Sequence, residues 1–531
     1  MSPSVLLWAH PVVTPHSLAG RQATLHMESG GEFIPPTAGP ADVRAATIRS
    51  NLSAMPSLDP TDWRDLRSLG HRMLDDMFDH LAGLAEGPVW QPMPTDLRQE
   101  LRAPLPRAPS DPAAAYEQFR RLVFPYATGN LHPAFMGWVH GGGTAIGMLA
   151  ELLSGGLNAN LGGRDHAPIE VERQVIAWAA EMLGLPATAA GVLVTGTSMA
   201  NLIGVLTARI HLLGAGGRRT GMGDVRLTAY ASAAAHGCIP RAMEIAGIGR
   251  DSLRMVPCDA GGRMRLDALA GAVRRDQRAG MTPFLVVGTA GTVDIGAVDD
   301  LAGLAEFCAE EALWFHVDAA FGAIAMLAPK LRPLLRGIER ADSVGFDFHK
   351  WAQVPYDAGC FVTRTAEPLL ATFAGDAAYL RRESRGLAGG GIWPCDLGPD
   401  LSRGFRALKV WLTLMVYGAD AIGAAVQQSC DLAQRLAARV DDTPELERLA
   451  PVALNIVCFR YRAGAAALDA LNAAIVADLQ EEGVAAPSTT VLDGRLAIRA
   501  AIVNHRTRPE DIDALIQGVL TRGRARSMRA A

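Results

Sequence analysis

Of the 50 lysine and arginine residues in this chain, only Lys330, Lys350 and Lys409 are lysine. Arginine stays protonated, whereas a lysine amine can lose its proton and attack a carbonyl, forming a Schiff base. Lys350 stands in SVGFDFHKWAQVPYDAG, directly after the apolar run ADSVGF and beside His349. Drift toward arginine would leave three lysines by accident, so the chemistry around Lys350 has to be found in other stretches.

Four such stretches follow short apolar runs. In VLVTGTSMANLIG, a strand enters a Gly/Thr/Ser turn and then a helix, so backbone N–H groups with Thr197 and Ser198 could meet an anion at the helix start. In YASAAAHGCIPRAM, His236 lies between a strand and a helix, where a packed or capping histidine is the plainer reading. GTAGTVDIGAVDD offers the hydroxyls of Thr289 and Thr292 in a loop that could equally bond them locally. In WFHVDAAFGA, Asp318 ends an apolar strand, and a carboxylate so buried needs a cationic partner, such as a protonated pyridine nitrogen. An anion cradle, a flat-ring neighbour, a buried acid and a lysine amine are together the parts that hold pyridoxal phosphate.

The elements that must position these residues follow from the pattern. From about 140 to 408, apolar β-rich runs alternate with helical stretches such as IEVERQVIAWAAEMLG, which predicts α/β architecture with a mainly parallel sheet flanked by helices. In such sheets ligand sites lie at the strand ends. Residues 409–531 change character, with a long helix at about 403–440, the runs ALNIVCFRY and RLAIRAAIV, and two further helices, as in a smaller C-terminal α+β domain. Residues 55–139 form an N-terminal helical segment, in which Asp62 caps a helix with Leu66, Leu69, Met73, Met77 and Leu81 on one face. Residues 1–54 carry Gly, Pro and Ser without periodicity and read as a disordered extension.

The formal charge of −5 gives no argument for nucleic acid or a membrane surface as partner. Seven dispersed cysteines without a CxxC pair read as reduced thiols in a cytoplasm and offer no metal site. No uninterrupted apolar run approaches the roughly 20 residues that span a bilayer.

TGTSMAN, AHGCIPRA, GTAGTVDIGAVDD, HVDAAFG and DFHKW resemble, in order and spacing, the group II pyridoxal-phosphate-dependent amino-acid decarboxylases. The likeness runs over about residues 56–520 and takes in HPAFMGWVHGGG, GFRALKVW and IRAAIVNHRT. It implies the pyridoxal-phosphate-dependent transferase fold, type I, and a homodimer wrapped by its N-terminal segments. It also implies roles. Lys350 would form the Schiff base, Asp318 would pair with the pyridine nitrogen, and His236 would stack on the ring. Thr197, Ser198 and His349 would bind phosphate, while Ala320 and Asp347 line the pocket and Thr292 sits near ring or substrate. Asp347 departs from the asparagine of aromatic decarboxylases, and a carboxylate beside a phosphate needs compensating donors.

Tyr379, in GDAAYLRRESRGLAGGGIWP, matches the family's loop tyrosine, which would protonate Cα after carbon dioxide leaves. Relatives that release an aldehyde commonly have phenylalanine there, so the resemblance implies simple decarboxylation of an L-amino acid to the amine. Phe135 and Trp138 fall in the substrate-shaping segment and would suit an aromatic side chain, and Arg403 matches an arginine near the family's active site. The alternatives are an aldehyde synthase, a decarboxylase of a non-aromatic amino acid and, from another class, a non-catalytic cofactor-binding scaffold.

Overall fold

The computed structural model describes residues 57–214, 216–375, 380–462 and 467–530, and the anticipated extension lies outside them. The helix capped by Asp62 runs Trp63–Ala82, and Asp62 accepts the Arg64 N–H at 2.9 Å. Of that helix only Leu69 is buried.

Seven strands form the large sheet, in the order 190–194, 359–363, 343–347, 314–318, 282–289, 227–232 and 253–256. The last five run parallel to one another, and Gly359–Thr363 is antiparallel to the strands on both sides. The runs read as strands are buried along their whole length at Trp314–Asp318 and Ser343–Asp347. Helices cover both faces of such a sheet, which is why these strands show no polar alternation. Thr289, Asp318 and Asp347 each end their strand, with Thr289 in register with Asp318 and Asp318 with Gly345. Parallel pairing therefore places three residues from distant parts of the chain on one sheet edge.

The smaller sheet has five strands in the order 135–136, 486–492, 495–501, 456–461 and 446–448, with helices Leu468–Glu481 and Pro509–Ala530 beside it. One of its two edge strands comes from the N-terminal segment, since Phe135 pairs in parallel with Ala486. The long helix is Arg406–Asp441, kinked at Gly418, where φ is 77°. By length and composition alone it could cross a membrane. Nevertheless Val410, Ile422 and Val426 pack into the core that also holds Val286, Val317 and Val344 of the large sheet.

Candidate active site

The edge where Thr289, Asp318 and Asp347 end opens into a cavity of about 420 Å³ that also takes in Thr197, Ser198, His236 and Lys350. Lys350 is the lysine that faces it. Lys409 is buried in an ion pair with Glu151, and Lys330 is exposed.

The turn at Gly196 starts helix Thr197–Leu213, so the positive end of the helix, with Thr197 and Ser198, borders the cavity. Strand Gly359–Thr363 passes against that turn so closely that a Cβ on Gly359 would lie 2.4 Å from Gly196 Cα. The Thr197 hydroxyl is buried with no hydrogen-bond partner, and so is that of Thr289. Both threonines line the cavity, so their free hydroxyls stand where an oxygen acceptor could be bound.

Asp318 is 3% exposed, and its two carboxylate oxygens accept from Asn201 Nδ2 at 3.0 Å and Ala320 N–H at 3.2 Å. Burial pushes its carboxyl up, while the nearby Lys350 and His236 pull the other way. A buried acid in that balance is completed by a cation, which a protonated ring nitrogen supplies. His236 is exposed to the cavity, and its Nδ1 accepts the Cys238 N–H at 3.2 Å, which leaves Nε2 to carry the proton. His349 Nδ1 accepts from Ala358 N–H at 3.0 Å, and burial lowers the imidazole from its ordinary value.

These parts fit a phosphate at the helix start, an aldehyde at Lys350 and a flat protonated ring between His236 and Asp318. The pyridoxal-dependent decarboxylase conserved domain matches residues 94–462. The chain belongs to this family. An aromatic-L-amino-acid decarboxylase of Bacillus atrophaeus is 34% identical over 458 residues, which are 84% of this chain and 93% of that protein. The crystal structure of Oryza sativa TDC with PLP and tryptamine superposes with a TM-score of 0.83 at 26% identity, covering 89% of this chain and 100% of that one. The fold is shared also with Rhodiola rosea 4-hydroxyphenylacetaldehyde synthase, at a TM-score of 0.78, 24% identity and coverage of 88% and 99%. The cofactor of this decarboxylase is pyridoxal phosphate.

Several expected residues fall elsewhere. Thr292 does not line the cavity, because its hydroxyl accepts the Ala297 N–H at 3.0 Å and closes the loop, while Thr289 takes the place expected of it. Arg403 is buried away from the cavity, bound to Glu172 through both carboxylate oxygens and to the Leu161 and Leu193 carbonyls at 3.0 and 2.7 Å. Phe135 is a core residue of the small sheet that stacks on His140, and Trp138 and His140 are the ones that reach the cavity. Tyr379 lies outside the described residues.

Tyr356 and Cys238 were missed. Tyr356 returns to the cavity after the backbone reverses at Gln353, where φ is 58°, and its ring sits 4.3 Å from that of His349. An aromatic six residues beyond the lysine is the signal that could have found it. Cys238 lies two residues past His236, and burial pushes its thiol up to about 12, so it is a neutral thiol beside Asp318.

Proposed function

We propose that this decarboxylase converts an aromatic L-amino acid to the amine and carbon dioxide. The observation that carries the reading is the single cavity shared by the Lys350 amine, the Asp318 carboxylate and the start of helix Thr197–Leu213.

Pyridoxal phosphate, when bound, supplies the electron sink that accepts the charge left on Cα as carbon dioxide departs. Lys350 would hold the aldehyde end through its amine. Thr197 and Ser198, at the helix start, would hold the phosphate, helped by His349. Asp318 would keep a proton on the ring nitrogen, His236 would offer its ring to the cofactor's, and Ala320 and Asp347 border the pocket. Thr289 offers a hydroxyl to ring or substrate. Trp138, His140 and Tyr356 form the aromatic wall against which a flat side chain packs, which supports an aromatic substrate. Tyr379 gives its phenolic proton to Cα on the product side.

The working enzyme is a cytoplasmic homodimer in this reading. Its support is a set of exposed apolar side chains on two adjoining helices: Leu152, Leu153 and Leu157 on Ala145–Leu157, and Met415, Val416 and Tyr417 on Arg406–Asp441. Helix Trp63–Ala82, with so little of it buried, would cover the partner. The free state of all seven cysteines suits a reducing compartment.

The test loads the purified enzyme with cofactor and follows carbon dioxide, amine, aldehyde and peroxide from a panel of L-amino acids. Amine equal to carbon dioxide from tryptophan, tyrosine, dopa or phenylalanine is expected. Aldehyde with peroxide would move the enzyme to the synthases, and turnover of non-aromatic amino acids alone would refute the substrate class. In Tyr379→Phe the product should shift from amine toward aldehyde, and unchanged products would remove the role given to that tyrosine.

A further inference from the structure

Behind Asp318, on the side away from the cavity, four side chains form a continuous line of hydrogen bonds. Trp314 Nε1 donates to Ser343 Oγ at 2.9 Å, and Ser343 Oγ lies 2.8 Å from His316 Nδ1. His316 Nε2 lies 2.8 Å from Asn201 Oδ1, and Asn201 Nδ2 donates to Asp318 Oδ2 at 3.0 Å. Asn201 Nδ2 also lies 3.1 Å from Cys238 Sγ. Asn201, His316 and Ser343 have no solvent exposure at all.

The direction of the bonds is fixed from the Asp318 end. An indole N–H can only donate and an ionised carboxylate can only accept. Asn201 must turn its NH₂ toward the carboxylate and its carbonyl toward His316, so the neutral imidazole carries hydrogen on Nε2 and donates to Asn201. His316 Nδ1 is then the acceptor for the Ser343 hydroxyl, whose oxygen in turn accepts from Trp314. Burial holds the His316 imidazole down to about 4, so the ring is neutral.

The backbone also makes room for the line. A Cβ on Gly204 would lie 3.0 Å from the His316 ring, and one on Gly345 would lie 3.2 Å from Asn201 Oδ1. A buried polar network is worse than an apolar core unless every member is satisfied, and this one is satisfied throughout. Packing alone gives no reason for its sense to run from a donor-only group to a carboxylate.

We propose that Trp314, Ser343, His316 and Asn201 are positioning residues that present Asp318 as an oriented, ionised acceptor and so keep the proton on the cofactor's ring nitrogen. The proposal rests on the reading of the cavity as the pyridoxal phosphate site. If Ser343 lost its hydroxyl, the imidazole could take its other tautomer. The Asn201 amide would then turn its carbonyl toward Asp318, and the carboxyl would draw the proton off the ring.

The test uses holoenzyme loaded with pyridoxal phosphate carrying ¹⁵N at the ring, and reads the nitrogen shift against pH. The parent should show a protonated ring nitrogen from pH 6 to 9. In Ser343→Ala and Asn201→Ala the midpoint for loss of that proton should fall by at least one pH unit, and kcat should fall with KM little changed. Ser343→Thr, which keeps a hydroxyl, should restore the parent titration. Variants that melt earlier but hold the ring proton as the parent does would reduce the line to structural support and overturn the proposal. A parent that shows no bound ring-nitrogen signal would overturn the cofactor reading together with it.

Discussion

Lys350 Nζ lies 2.8 Å from Asp347 Oδ2, and the other oxygen of that carboxylate accepts the Thr197 N–H at 2.7 Å. Asp347 thus holds the first donor of the phosphate cradle and the reactive amine at the same time. In the proposed reading this carboxylate would stand as the protein's own anion where the cofactor's phosphate would bind. Asp347→Asn keeps an acceptor for Thr197 N–H and removes the charge. One carboxylate at about 4 Å from a phosphate costs on the order of 4 kcal/mol near a protein surface. Recovering even part of that should tighten cofactor binding about tenfold or more. Quenching of tryptophan fluorescence during titration with pyridoxal phosphate reads the change, and equal or weaker binding would contradict it.

Two threonines three residues apart should behave differently. Thr289→Val removes an unpartnered hydroxyl facing the cavity, so it should lower cofactor affinity or kcat/KM by roughly twofold to tenfold and leave stability unchanged. Thr292→Val removes the acceptor for Ala297 N–H and should cost about 1–3 kcal/mol of stability with kinetics preserved. Parallel steady-state kinetics and denaturant titrations separate the two, and a reversed pattern would return Thr292 to the site.

Arg403→Leu strands the Glu172 carboxylate, which is itself 3% exposed, inside the protein. Breaking a buried pair in this way costs roughly 3–5 kcal/mol. The urea midpoint should fall accordingly, and folded protein at low temperature should still bind cofactor. Lost activity with an unchanged midpoint would place Arg403 at the chemistry after all.

Stability should respond to acid through His505. Burial holds its imidazole down to about 4, below the roughly 6.5 of an unfolded chain. Between those values the unfolded state binds more protons, so the contribution is complete above about pH 6.5 and is lost as pH falls toward 4. His316 acts in the same sense, and the buried Asp299, raised to about 6, acts in the opposite one. His505→Gln isolates one share: between pH 7 and pH 5 the variant should lose less stability than the parent. Parallel curves for the two proteins would refute the assignment.

Local chemistry made the sheet and its edge legible. Lys350 and Thr197 follow short, largely buried strands and Asp318 ends one, and pairing in the sheet does the rest. Arg403 was misplaced because its partner Glu172 lies 231 residues away in the chain, beyond any periodicity. Phe135 reads as a pocket residue in the sequence because its pairing partner Ala486 is more remote still. Thr292 was chosen over Thr289 although both carry the same hydroxyl, and only the turn closed by Ala297 decides which one faces inward. The boundary expected at 139 likewise could not foresee that residues 135–136 would join the C-terminal sheet.

The central claim is that the amine of Lys350 holds the cofactor. Borohydride reduction of the holoenzyme, followed by peptide mapping, tests it most directly. A pyridoxyl group should appear on the peptide containing Lys350, none on Lys330 or Lys409, and Lys350→Ala should fix no cofactor. Label fixed on another residue, or retained in that variant, would contradict it.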